Sequence, residues 1–167
     1  MPPRVRALAI VALTVAAASL ALRADGPASQ AGEVQIQLGN EFLAEGRYGD
    51  ALDAFKRAVA VADADDMRAA RGGLIHSALR VAEFDLARGE AEKLVLASPQ
   101  SPEAIALYGD ALWASGLFEE AEARYQDALG KAPELARGHH GMARALAARG
   151  RLDDAMTEAQ SALRLSP

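Results

Sequence analysis

The sequence repeats itself with a period of 34 to 36 residues. When the chain is shifted by 36 and then twice by 34 positions, one column contains only alanine, at Ala51, Ala87, Ala121 and Ala155. Another contains only aromatic residues and leucine, at Tyr48, Phe84, Phe118 and Leu152. A fixed period of this size is typical of solenoids, in which each repeat is a small supersecondary unit that buries its apolar face against the next. We therefore interpret the chain as a stacked array of about four repeats.

Each repeat contains two helical patterns. Apolar and small residues recur three and four places apart in two stretches of about 14 residues, which is the pattern of an amphipathic helix. Gly39 and Phe42 share a face of the first stretch, and Ala51, Phe55 and Ala58 share a face of the second. A small residue on each helix would let the two backbones approach while an aromatic ring fills the space beside them.

Helix boundaries are marked by glycine, proline and serine. Glycine, which enters the left-handed conformation without steric cost, stands at the end of the first helix at Gly46, Gly116 and Gly150. Proline, which cannot continue a helix, follows the second helix at Pro99, Pro133 and Pro167. Ser101 followed by Pro102 is typical of a helix N-cap, so the third repeat should begin there.

These features resemble the tetratricopeptide repeat (TPR) family, and the resemblance covers residues 32–167. The third repeat carries the family pattern most completely, at Tyr108, Gly109, Leu112, Gly116, Phe118, Ala121, Tyr125, Ala128 and Pro133. The resemblance implies an all-α fold, an α-solenoid of about four helix-turn-helix repeats that forms a right-handed superhelix. We place the repeats at about residues 32–65, 68–101, 102–135 and 136–167.

The second repeat departs from this pattern. Ile75 replaces glycine or alanine, Ala82 replaces the turn glycine, and Gly72 and Gly73 lie inside the first helix. A glycine within a helix costs about 1 kcal/mol relative to alanine. We therefore expect the second repeat to be the least stable, and we expect the acidic stretch before it, residues 63–67, to form a loop.

Charge and composition exclude several classes of function. The net charge is -5, and the first 31 residues carry Arg4, Arg6, Arg23 and Asp25, so the remaining residues carry -7. Nucleic acid is not an expected partner, because binding it requires a basic surface. The chain has no cysteine, which excludes disulfides, thiolate zinc sites and cysteine nucleophiles.

The N-terminal segment has the layout of a secretory signal. Two arginines precede an uncharged run from Ala7 to Leu22, and small residues follow. Sixteen helical residues span roughly 24 Å, less than the roughly 30 Å hydrocarbon core of a membrane. We predict that residues 1–31 are a signal peptide, cleaved after Ala28 or Ala31, and that the protein is periplasmic or extracellular. The alternative is an uncleaved anchor in the cytoplasmic membrane, formed by residues 7–22.

No catalytic or metal-binding motif is evident. His139 and His140 are adjacent, so on a helix they point to different faces and cannot share an ion. The pairs Glu119–Glu120 and Asp153–Asp154 open second helices, where negative charge favours the helix N-terminus. We therefore predict no catalytic residues, no metal site and no cofactor, and we do not expect an enzyme.

The resemblance also implies a binding surface for a protein or peptide. In the family, the first helices of successive repeats line a concave groove. Carried onto this sequence, the groove residues are Asn40, Leu43, His76, Leu79, Arg80, Asp110, Trp113, His140 and Arg144. Trp113 is the only tryptophan, and it would either anchor a partner or cover the adjacent helix pair.

The fourth repeat ends at Pro167 and leaves Ala159, Ala162 and Leu163 without a following helix. Our leading hypothesis is an exported scaffold that binds a protein or peptide in its groove. Two alternatives remain: an accessory module of a larger exported enzyme, such as a protease whose catalytic domain would follow residue 167, and a membrane-anchored assembly factor.

Overall fold

The computed structural model describes residues 27–166, which form eight α-helices and no strand. The helices are α1 (Pro27–Ala44), α2 (Tyr48–Val61), α3 (Met67–Arg80), α4 (Phe84–Ala97), α5 (Pro102–Ala114), α6 (Phe118–Lys131), α7 (Ala136–Ala148) and α8 (Leu152–Leu165). Each helix packs against the next one along the chain, and α1, α3, α5 and α7 also pack against one another in series. The predicted all-α solenoid of about four helix pairs is confirmed.

Helix α1 begins at Pro27, before the predicted start of the first repeat at residue 32. Its early turns pack closely on the end of α2, because a Cβ added to Gly32 would lie 3.1 Å from the Cα of Ala62. The proposed cleavage positions, Ala28 and Ala31, fall within these turns. The apolar run from Ala7 to Leu22 lies outside the described residues. Of the helices in residues 27–166, none combines the length and the apolar character needed to cross a bilayer.

All four turns inside the repeats use a left-handed residue. Gly46, Gly116 and Gly150 have φ of 73°, 78° and 75°, and in the second repeat Ala82 takes the same conformation with φ of 64°. The backbone bond that closes the turn is also kept, since Glu83 N–H donates to the carbonyl of Ala78 at 2.9 Å. The second repeat therefore keeps the turn geometry although Ala82 has a side chain, which disfavours the left-handed conformation.

The boundary between the second and third repeats is built as expected. Helix α5 begins at Pro102, and the side chain of Ser101 accepts a bond from the backbone N–H of Ala104 at 3.3 Å. This bond satisfies one of the free donors at the helix N-terminus. The boundary between the first and second repeats also forms a loop, residues 62–66. In this loop, the carboxylate of Asp63 accepts bonds from two backbone N–H groups.

The core of the first repeat is organised around Phe55. This side chain is completely buried on α2, with Gly39 of α1 on one side and Gly73 of α3 on the other. A Cβ added to Gly39 would lie 2.6 Å from the ring, and a Cβ added to Gly73 would overlap it. Phe55 therefore locks the first helix pair to the second, and it can do so only between two residues without side chains.

The third repeat uses the same arrangement around Tyr125. The ring is completely buried on α6 between Gly109 of α5 and Gly141 of α7. A Cβ at Gly109 would lie 2.6 Å from the ring, and one at Gly141 would overlap it. The aromatic side chain again belongs to one helix pair and is enclosed by the next.

In the second repeat, the central residue is small and its neighbours are large. Ala91 stands in the column of Phe55 and Tyr125, and the neighbouring positions are filled by Ile75 from α3 and Leu107 from α5. All three side chains are buried in one apolar cluster. Ile75, which departs from the family pattern, thus fills the space that the missing aromatic ring leaves.

The packing corrects one sequence expectation. Gly72 and Gly73 seemed equally costly to α3, but only Gly72 has open space around the position of a Cβ. The ring of Phe55 leaves no space for a side chain at Gly73, and this contact offsets the free-energy cost of a glycine within the helix. The two glycines therefore have opposite roles.

We predict that Gly72→Ala raises the free energy of unfolding by up to about 1 kcal/mol, because it removes backbone freedom from an open helical position. Gly73→Ala should lower it by about 1–3 kcal/mol, because the added methyl group displaces a packed ring. Urea denaturation followed by circular dichroism measures both changes. Stabilisation by both substitutions would show that Phe55 does not require Gly73.

Candidate functional site

The candidate site is a polar cluster where α3, α5 and α7 lie side by side. His76, Asp110 and Arg144 occupy the same column of three successive repeats, and the packing of the three helices brings them into line. Arg137 from the first turn of α7 and the hydroxyl of Tyr125 from α6 complete the group. We call these five residues the Asp110 cluster.

Asp110 is the centre of this cluster, and its side chain is only 14% exposed. One carboxylate oxygen accepts a bond from Nη1 of Arg137 at 2.6 Å. The other accepts a bond from Nη2 of Arg144 at 2.5 Å and one from the hydroxyl of Tyr125 at 2.9 Å. A carboxylate this far from water needs such partners, because its burial would otherwise be costly.

Tyr125 connects this cluster to the core. Its ring is the buried side chain between Gly109 and Gly141, and its hydroxyl also accepts a bond from Arg144 at 2.8 Å. Burial and the adjacent Asp110 carboxylate raise the pKa of this hydroxyl well above its usual value, so it stays protonated and can donate. The position of the polar groups therefore depends on the packing of the repeat.

His76 joins the cluster as a neutral side chain. Its Nε2 lies 3.2 Å from Nη2 of Arg137, and because arginine can only donate, this ring nitrogen acts as the acceptor. Burial, followed by the positive charge of Arg137, lowers the pKa of His76, and Asp110 opposes them more weakly. At neutral pH, the cluster contains two arginines and one carboxylate, a net charge of +1.

Trp113 lies on the same helix as Asp110, at the edge of the cluster. Its ring makes an edge-on contact with Phe118, with centroids 4.7 Å apart, and the guanidinium of Arg144 lies 5.4 Å from the ring centroid. Trp113 is half-buried and Phe118 is 48% exposed. The two rings form an aromatic edge that is accessible from solvent.

The other expected groove residues lie outside the Asp110 cluster. Leu43 and Leu79 are half-buried and pack against the apolar cluster of the first three repeats. Arg80 is exposed and stacks on Tyr48, with its guanidinium 4.3 Å from the ring centroid. Asn40 is exposed on α1.

Two of the expected groove residues have neighbours that bear on their role. His140 is exposed at the C-terminal end of the array, beside Ala159 and Leu163 of α8. Arg144 is not a freely available cation, since it is paired with Asp110. Arg80 forms no ion pair among the described residues, so it offers its charge more fully.

Tyr125 and Arg137 were not among the predicted groove residues, although both contact Asp110. Tyr125 matches a packing position, and nothing in the sequence indicates that its hydroxyl reaches Asp110. The pairing of Asp110 with Arg144 did have a signal, because opposite charges stand in one column one repeat apart. Within residues 27–166, no group of three or more histidines and carboxylates is arranged to hold a metal ion.

Several solved structures share this fold. A thermophilic TPR protein from Thermus thermophilus, TTC0263, is 24% identical, with a TM-score of 0.72 over 81% of this chain and 74% of that chain. MamA 41-end from Desulfovibrio magneticus RS-1 is 20% identical, with a TM-score of 0.65 over 80% and 75% of the two chains. MamA MSR-1 C2 is 26% identical, with a TM-score of 0.59 over 80% and 76%.

No curated protein sequence matches the chain significantly. A family model described as tetratricopeptide repeat matches residues 36–102, 73–136 and 108–167, which overlap and together span the array. The helix pairs, the left-handed turns and the enclosed aromatic rings agree with this match. The chain belongs to the tetratricopeptide repeat family, whose fold serves protein–protein interaction.

Proposed function

We propose that this protein is an exported scaffold that holds an acidic segment of a partner protein in the groove beside the Asp110 cluster. The observation that carries the proposal is a separation of charge. The chain after residue 31 has a net charge of -7, yet Arg137 and Arg144 share the one carboxylate of Asp110, and Arg80 stacks on Tyr48 without an ion-pair partner among the described residues. A positive patch on an acidic protein directs an acidic partner to that place, because the rest of the surface repels it.

The donors of the cluster are not all used by Asp110. Arg137 and Arg144 are 37% and 34% exposed at their side chains. A carboxylate or backbone carbonyl from a partner would bind at the exposed parts of these two guanidinium-bearing side chains, because arginine carries more donors than one carboxylate can use.

Trp113 provides the apolar part of this surface. A half-buried tryptophan beside an arginine and next to an exposed phenylalanine is the kind of residue that often dominates the free energy of binding. The contact with Phe118 holds the ring in place, so little side-chain entropy should be lost when a partner covers it. We therefore assign the anchor to Trp113, with Leu79 one repeat away.

We predict that Trp113→Ala weakens partner binding by about 2 kcal/mol or more, because it removes the anchor. The measurement is a pull-down from the envelope fraction of the native host with wild type, Trp113→Ala and the control Gln126→Ala on α6. Circular dichroism shows whether each variant remains folded. If folded Trp113→Ala retains every partner, the anchor is elsewhere; if it loses helicity, Trp113 is a packing residue.

A second variant in the same pull-down tests the charge of the groove. Arg80→Gln removes a cation that has no carboxylate partner among the described residues, so it should reduce capture without changing the fold. Capture of the partner by wild type should also decline as salt is added, because exposed charges are screened. If neither Arg80→Gln nor added salt reduces capture, the basis for an acidic partner is removed.

Export is the part of the proposal that depends on the N-terminal segment. Its charged start and apolar run, residues 7–22, are typical of a secretory signal. We predict that protein recovered from the native host begins near Ser29 or Gly32, and intact-mass spectrometry measures this. A mass that includes Ala7–Leu22 would reject cleavage and favour a membrane anchor.

A further inference from the structure

The turns inside the four repeats lie along one edge of the array, because every repeat has the same order of helices. Each turn leads into a large side chain at the first residue of the second helix: Tyr48, Phe84, Phe118 and Leu152. What covers these side chains differs between the first turn and the second. The chemistry of the second turn is therefore best understood from that of the first.

The first turn holds two arginines on aromatic rings. The guanidinium of Arg80, from α3, lies 4.3 Å from the ring centroid of Tyr48 and donates to its hydroxyl. The guanidinium of Arg47 lies 4.2 Å from the ring centroid of Phe42 and pairs with the carboxylate of Asp50 at 2.8 Å. A cation over the face of an aromatic ring is attracted by the quadrupole of the ring. At this edge, guanidinium groups are therefore held by aromatic rings and carboxylates of the chain itself.

The second turn keeps the ring but has neither arginine. Ala114 stands in the column of Arg80, and Glu83 stands in the column of Arg47. The side chain of Phe84 is 38% exposed, and no cation of the described residues stacks on its ring. The second turn therefore presents an aromatic ring beside a negative charge, where the first turn presents a ring beneath a positive one.

A cavity of about 340 Å³ lies between this turn and the end of α5. Phe84 and Glu83 line it on one side, and Ala114 and Ser115 line it on the other. Because Ala114 is short where Arg80 is long, the cavity lies where the arginine side chain extends in the first turn. The C-terminal end of α5 adjoins the cavity, and a helix C-terminus favours a cation. The site therefore suits a long, positively charged side chain.

Carboxylates dominate the charge around this cavity. Arg88 is the only basic residue that lines it, and it pairs with Asp85 at 3.2 Å, whereas Glu83 has no ion-pair partner among the described residues. A neighbouring cavity of about 280 Å³ shares Asp85 and Arg88 and adds Glu92 and Glu120. Together the two cavities are lined by four carboxylates and one arginine. This balance attracts a segment that carries more than one positive charge.

The third and fourth turns differ from the second. In the third turn, Trp113 from α5 contacts the ring of Phe118, with centroids 4.7 Å apart. In the fourth turn, the residue is Leu152, which has no ring, and Arg151 pairs with Asp154 at 2.6 Å. At the second turn, an exposed ring without a stacked partner among residues 27–166, a carboxylate without an ion pair and a cavity come together.

We propose that the second turn binds an arginine side chain from a basic segment of a partner protein. The guanidinium stacks on Phe84 and pairs with Glu83, as Arg80 stacks on Tyr48 in the first turn. Arginine fits better than lysine, because a planar guanidinium stacks on a ring and donates hydrogen bonds at the same time. The site lies outside the Asp110 cluster and takes the opposite charge from the groove, so the two proposals can fail separately.

The probe is a short peptide of glycine and serine that carries two arginines. Matched peptides carry lysine, or the neutral analogue citrulline, in place of both arginines. Isothermal titration calorimetry at low salt with the purified full chain measures the affinity of each peptide. The lysine peptide keeps the charge without the planar group, and the citrulline peptide keeps the shape without the charge, so the comparison separates the two contributions.

We expect wild type to bind the arginine peptide roughly threefold tighter than the lysine peptide, because of the stacking on the ring. Phe84→Leu should remove this preference, and it should keep the fold because leucine occupies the same column at Leu152. Glu83→Gln should weaken the arginine peptide roughly threefold, because an ion pair is lost. Glu134→Gln makes the same change of charge in the exposed loop between α6 and α7 and should leave the affinity unchanged.

A further variant supplies the arginine from the chain itself. Ala114→Arg places a guanidinium where Arg80 stands in the first turn. It should weaken the arginine peptide roughly tenfold, because the added group covers the ring and repels a second cation. Circular dichroism shows whether each variant remains folded.

Equal affinity for the arginine and lysine peptides in wild type would overturn the proposal, as would equal weakening by Glu83→Gln and Glu134→Gln, because both results point to the net charge of the chain alone. Sedimentation that shows dimers in wild type but not in Phe84→Leu would replace the partner segment with a second copy. If Ala114→Arg loses helicity, Phe84→Leu and Glu83→Gln decide the result, because both residues are exposed and their replacement should not disturb the fold.

Discussion

Two aromatic rings, each held between glycines of successive helix pairs, set the spacing of the array. Phe55 contacts the backbone of α1 and α3, and Tyr125 contacts that of α5 and α7. Each ring belongs to one repeat and is enclosed by the next, so neither helix pair can be moved without opening a buried space. In a solenoid, where stability comes from the repeats and their interfaces, these contacts join what would otherwise be separate hairpins.

The polar cluster depends on the second of these rings. Tyr125 is packed by glycines and at the same time bonds to Asp110 and Arg144 through its hydroxyl. The packing therefore determines where the groove presents its arginines, and the carboxylate keeps the two arginines apart in fixed positions. A preformed arrangement of this kind reduces the entropy that a partner must overcome when it binds.

The sequence was sufficient to predict the period, the eight helices, the N-cap at Ser101 and the left-handed turns at the three turn glycines, because these depend on residues that are close together in the chain. It was insufficient wherever a residue's role depends on a neighbour far along the chain. Gly72 and Gly73 are identical in the sequence, and only the ring of Phe55 distinguishes them. The hydrogen bonds of the Tyr125 hydroxyl could not be predicted either, because the sequence assigns Tyr125 to a column of packing residues.

The central claim is that the rings and the glycines act as matched pairs, and a double-mutant cycle between Phe55→Leu and Gly73→Ala tests it most directly. Urea denaturation of the four proteins gives the coupling free energy between the two positions. Our account predicts that the cost of Gly73→Ala falls by about 1 kcal/mol or more when Phe55 is leucine, because contacting residues are coupled and the smaller side chain leaves room for the added methyl group. An equal cost in both backgrounds would contradict the account, since it would show that Gly73 and the ring of Phe55 stabilise the array independently.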